Sequence, residues 1–138
     1  MKRISLVVVM VSLVMFSCKK SDKTCDLNAA NFAGSYKISA VKYKADASTP
    51  EVDEFALYPA CEKDDVTAFN TNGTYTVTDA GAVCTPAGND NGVWSLSGSA
   101  LNLDGTAATV TYFDCKGMTI TIAGTAAGEL TTVSLSRQ

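Results

Sequence analysis

An all-β fold, an antiparallel up-and-down barrel of about eight strands, is what this sequence predicts, and three observations predict it. Short runs rich in Val, Ile, Thr, Tyr and Phe recur at roughly 8 to 12 residue spacing. The turns between them, at Asn70 to Gly73, Gly98-Ser99, Asp104-Gly105, Asp114 to Gly117 and near Ala126 to Gly128, are too short for crossover helices, so consecutive strands run antiparallel. Such a meander hides its edges best by closing on itself. At 138 residues with 46% hydrophobic content, the chain has the size of one domain with a modest core.

The elements can be taken in order. Met1-Lys2-Arg3 is a short basic region followed by the apolar run Ile4 to Phe16. As a helix that run would reach only about 20 Å at ~1.5 Å per residue, short of a ~30 Å bilayer core, so it reads as a signal-peptide core and not as a membrane span. It ends at Phe16-Ser17-Cys18, followed by Lys19-Lys20-Ser21-Asp22. This junction resembles a bacterial lipoprotein lipobox in the loose form common in the Bacteroidota, although Phe16 stands where the stricter form has a small residue. The resemblance implies a signal peptide over residues 1–17, cleavage after Ser17 and acylation of Cys18, with several acyl chains giving stable membrane anchoring. It also implies a place in the bacterial cell envelope, lipid-anchored, the outer membrane being the expected one. Whether the protein faces periplasm or cell surface stays open.

Residues 18–31 are the lipidated cysteine and a polar, then Ala-rich tether, with one helical turn started by Asp26. The barrel domain spans 32–138. Tyr36, Ile38 and Ala40 alternate against Lys37 and Ser39 as a half-buried strand does, while Val41 and Tyr43 fall on the other parity, so a bulge is expected near Ala40. Thr49-Pro50-Glu51 supplies an N-cap, a proline at the first helical position and an acid in the first turn, which predicts a short helix over 50–57 ended by Pro59. The long interval 45–65 reads either as a lid over one end of the fold or as a solvated crossover pinned by Cys61. In the hairpin VTAF/TYTV, a three-residue loop with Gly73 left-handed puts Phe69 on one face with Tyr75 and Val77. Trp94 and Leu96, Leu101 and Leu103, a β-rich run Thr106 to Phe113, then Met118, Ile120 and Ile122, and finally Val133 and Leu135 continue the alternation. Tyr112, in the run Thr106 to Phe113, is counted with the inward set.

Gly34-x-Tyr36, Cys61 before Asp64-Asp65, Phe69 through Gly73-Thr74-Tyr75, Cys84, and Gly92-x-Trp94 before Leu101 together resemble the lipocalin-like domain of Bacteroidota lipoproteins, over about Phe32 to Arg137. The resemblance implies a lipocalin-like barrel, and for most such proteins no known substrate. In an up-and-down barrel alternate connections lie at opposite ends. Cys61 and Cys84 would then share one end, and Cys25 and Cys115 the other. Of the three ways to pair these four cysteines, joining 61 to 84 and 25 to 115 keeps both bridges local, and export permits them.

The chemistry is bounded by what is missing. The chain holds no histidine, the side chain most used as a general base near neutral pH. It has no nucleophile elbow and no calcium-loop spacing. Glu62 with Asp64-Asp65 is the one dense carboxylate cluster, but neighbouring residues on a strand point to opposite faces, so the pair reads as a solvated loop face and not a catalytic dyad. No enzyme, cofactor or metal is expected. With 11 basic against 14 acidic residues and no basic cluster, the chain lacks the footprint of a nucleic-acid binder. Two readings remain: a carrier of a small apolar ligand, with Tyr36, Phe69, Tyr75, Trp94 and Tyr112 facing it, or a structural or protein-interaction module of the envelope with a filled barrel. The bulky inward set favours a filled core with a shallow mouth.

Overall fold

The computed structural model of the chain describes residues 25–138; the expected signal peptide and the lipidated Cys18 lie outside the described residues. Helix α1 (Ala29–Phe32) precedes β1 (Gly34–Lys44), a two-residue β2 (Val52–Asp53) and a 3-10 turn (Phe55–Leu57). Then follow β3 (Val66–Phe69), β4 (Thr74–Thr78), β5 (Asp90–Ser97), β6 (Ala100–Leu103), β7 (Thr106–Phe113), β8 (Gly117–Ala123) and β9 (Leu130–Arg137). From β3 to β9 every strand pairs antiparallel with the next, and β1 joins β3 on one edge and β9 on the other. The result is a closed barrel of eight strands, with β2 appended to the far half of β1 through Lys42 and Tyr43.

Local chemistry explains the register. Phe69 lies opposite Tyr75, and Gly73 takes a φ of +83° that a side chain would resist. The three-residue loop is thus as the sequence predicts, and Asn72 steadies it by accepting from the Thr74 N–H at 3.0 Å. In β1 the register against β9 shifts between Ile38 and Ala40. Ser39 is the extra residue, its hydroxyl donating to the Ser134 carbonyl, and the shift returns Val41 to the interior opposite Val133.

The two ends of the barrel differ. At the end where β1 begins, Phe32 and Tyr36 are fully buried, and the Phe32 ring sits 5.0 Å from both Phe69 and Trp94. Each tilted or edge-on aromatic pair of this kind adds about 0.5–1.5 kcal/mol beyond its area burial. Polar atoms in the cluster are satisfied: Tyr36 donates to the Phe32 carbonyl, and Trp94 Nε1 shares its proton between the carbonyls of Asn70 and Thr74. Arg137 donates to the Asn31 and Ala33 carbonyls around the end of α1 and lies over the Tyr36 ring. Cys25 is bonded to Cys115 at this same end. It is a plug built by the segment leading into β1.

Two local expectations are corrected. α1 starts at Asn28, whose side chain accepts from the Asn31 N–H, and not at Asp26, whose carbonyl is taken by the side-chain amides of Asn28 and Asn31. The expected helix over 50–57 is replaced by β2 and the 3-10 turn. Thr49 does not cap because it is tied into a turn around Asp46, and Val52 and Asp53 bond to β1 instead. Helical geometry starts only at Phe55, where Asp53 Oδ1 accepts the Ala56 N–H.

Candidate ligand-binding cavity

At the other end the barrel is hollow. Below the aromatic plug lies a cavity of about 240 Å³ whose walls include Ile38, Phe69, Val77, Leu103, Ile120 and Val133. Apart from the Thr67 and Tyr75 hydroxyls its lining side chains are apolar. It exists because β1 pairs with β3 only through Gly34 to Tyr36 and then diverges toward β2, which leaves Ile38, Thr67 and Val77 facing open space. Those three residues are shared with a second cavity of about 290 Å³ at the mouth, bounded also by Tyr58, Glu62, Asp65, Cys84, Pro86 and Gly88. The two cavities therefore adjoin along this wall, and we call the one at the mouth the vestibule.

The vestibule is framed by the two long loops, which Cys61–Cys84 staples together. The loop after β4 is organised on Asp79, 8% exposed, whose carboxylate accepts the N–H groups of Cys84 and Gly88 at 3.0 and 2.8 Å. Asp64 Oδ2 accepts the Ala82 N–H. The expectation of a solvated Asp64-Asp65 face fails, because the Oδ1 atoms of both are shut off from solvent and have no hydrogen-bond partner. Burial, and next the neighbouring Asp79 charge, raise the Asp65 carboxyl above its usual range. Lys63 does not relieve this charge: its ammonium donates to the Ala56 carbonyl and sits over the Phe55 ring.

Tyr75 connects the cavity wall to a turn. Its hydroxyl donates to Asp104, which also accepts the Val93 N–H at 2.8 Å. The contact needs Gly92, since a Cβ there would lie 2.6 Å from the Tyr75 ring and 2.3 Å from Asp104. The bond to Asp104 pushes the Tyr75 phenol up to about 12 and lowers the Asp104 carboxyl.

Of the residues expected to face a ligand, Phe69 and Tyr75 line the inner cavity. Tyr36 and Trp94 belong to the plug and border neither cavity. Tyr112 is corrected to the outside, 55% exposed. The register of β7 against β8 shifts between Val110 and Tyr112, so Thr111 is an extra residue, Tyr112 faces out and Phe113 takes the inward place opposite Met118. Thr67 was detectable by counting two residues back from Phe69 along β3. Asp65 carried no comparable signal, since its position follows from how two distant loops meet.

A closed antiparallel barrel, plugged at one end and hollow at the other, defines the class: a small single-domain β-barrel with an internal cavity. The family model of the lipocalin-like domain matches residues 32–122, and the chain belongs to that family. No curated protein matches the chain. The lipocalin-like fold is typically a binding fold rather than a catalytic one.

Proposed function

We propose that the protein is a lipid-anchored envelope lipoprotein that carries no catalytic activity and binds a small apolar ligand in the hollow end of its barrel. The observation that carries this reading is the apolar inner cavity of about 240 Å³ that adjoins the vestibule. It exceeds the roughly 150 Å³ that suffices for benzene in an engineered apolar cavity, so an aromatic ring or a short branched chain fits. The anchor rests on the Ser17-Cys18 junction, and mass spectrometry of the N-terminal peptide should show an acylated Cys18; an unmodified one removes it.

Binding is tested by calorimetric titration of a neutral probe, phenylbutanol, into the full chain in phosphatidylcholine nanodiscs, with empty discs subtracted. Saturable binding is expected, weakened more than about tenfold by Val77→Phe, which fills the junction of the two cavities. Absence of saturable binding sinks the carrier reading. Recovery of a stoichiometric envelope protein by cross-linking would then support the interaction module.

A further inference from the structure

The geometry points to a ligand with a cationic head: an apolar body in the inner cavity and a protonated amine in the vestibule against Asp65. This inference rests on the carrier reading and deepens it. The two cavities share three wall residues, so one molecule can occupy both, and they differ in chemistry. The inner one offers no charged group. The outer one has Asp65 and Glu62 in its wall, and Asp79 lies close behind: a Cβ at Gly88, another wall residue, would stand 3.7 Å from Asp65 Oδ2 and 4.0 Å from Asp79 Oδ2.

These carboxylates lack a positive partner within the fold. Among the described residues the one ion pair is Lys42–Glu51, on the outer surface. Asp65 Oδ1 is sealed from solvent and accepts nothing, so the fold stabilises this carboxylate poorly; an ammonium in the vestibule would relieve it by charge and by N–H donation to Oδ2, the oxygen beside the wall residue Gly88. A fatty-acid carboxylate in the same place would add a further negative charge to an uncompensated group. The described residues hold no group of three carboxylate, cysteine or histidine side chains placed to chelate a metal, so the partner that fits is an organic cation bearing its own apolar body.

Phenylbutylamine and phenylbutyrate, matched in their apolar part, separate the head from the body. In the nanodisc titration the amine should bind about tenfold or more tighter than the acid, with phenylbutanol between them. Asp65→Asn keeps the shape and removes the charge, and should bring amine and acid to within about threefold while leaving phenylbutanol unchanged. Glu62→Gln, on an exposed side chain, provides a second variant whose folding is secure; it should shrink the preference by about two- to threefold. Equal binding of amine and acid, or preference for the acid, overturns the cationic head while the carrier reading stands. A preference that survives both substitutions removes it from these residues. Failure of all three probes overturns the carrier reading itself.

Discussion

Tyr75, Asp104 and Gly92 form a unit in which each residue makes sense only through the others. The phenol keeps its proton up to about 12 because its hydroxyl donates to Asp104, whereas in an unfolded chain it would lose it near ~10. The folded state thus binds more protons between these values. Stability from the pair is complete between the ordinary carboxylate range and about pH 10; it is lost as pH rises toward 12, and also at acid pH as the lowered Asp104 carboxyl takes up a proton. Gly92→Ala should cost about 1–3 kcal/mol by overpacking and return the Tyr75 phenol toward its ordinary value; urea melts and ultraviolet titration of the tyrosines check both. Asp65 works in the opposite sense to a salt-bridged acid. Its carboxyl is raised, so the folded state favours the protonated form and loses stability as pH rises from the unfolded value through the folded one. Asp65→Asn should therefore be more stable than the natural protein at neutral pH, with the gap closing near pH ~3. A variant less stable than the natural protein at neutral pH would refute this account of Asp65.

At the scale of elements, α1 is only four residues long and yet one of the most consequential, since its last residue, Phe32, is the centre of the plug. Phe32→Ala should cost about 3–5 kcal/mol, read from the denaturation midpoint. The bulge in β7 gives a sharper test, because it inverts the parity of neighbours. Tyr112→Lys should change stability by no more than about 0.5 kcal/mol, whereas Val110→Lys, at a position 5% exposed, should cost several times that or prevent folding. A mild Val110→Lys with a damaging Tyr112→Lys would mean that β7 runs straight. These elements also show where the sequence could and could not be read. The β3–β4 hairpin was legible because only a three-residue loop puts Phe69 beside Tyr75, and the β1 bulge was legible because Val41 and Tyr43 visibly change parity. In β7 the change falls between Val110 and Tyr112, two residues that could both be inward, so alternation carries no trace of it. Residues 50–57 misled for the converse reason: good capping chemistry at Thr49-Pro50 was outweighed by Asp46, which claimed Thr49, and by pairing of Val52 and Asp53 to β1.

Over the whole molecule, each end of the barrel carries one disulfide, Cys25–Cys115 and Cys61–Cys84, the pairing that alternation of loops along a meander predicts. They close chain segments of 90 and 23 residues. In the chain-entropy picture the longer should stabilise by about 1 kcal/mol more. Comparing the Cys25→Ser/Cys115→Ser and Cys61→Ser/Cys84→Ser double variants in urea checks this; equal losses would show that native-state contacts dominate both. The cavity itself was not legible, since a roll of bulky inward residues fixes neither where β1 parts from β3 nor how much space that parting leaves. The position of Cys25 has one further consequence, for orientation. With Cys18 acylated as proposed, six residues lie between it and Cys25 of the bridge at the plugged end, and the seven steps from Cys18 to Cys25 reach at most about 25 Å at ~3.5 Å per residue. On the proposed anchoring and carrier reading, the barrel should stand on its closed end with the vestibule turned to the aqueous side, so that a ligand would arrive from solution and not from the leaflet beneath. A fluorophore at Val83, exposed on the loop that borders the vestibule, should stay beyond the reach of quenchers attached to the acyl chains of liposomes carrying the anchored protein, and quenching there would invert this orientation.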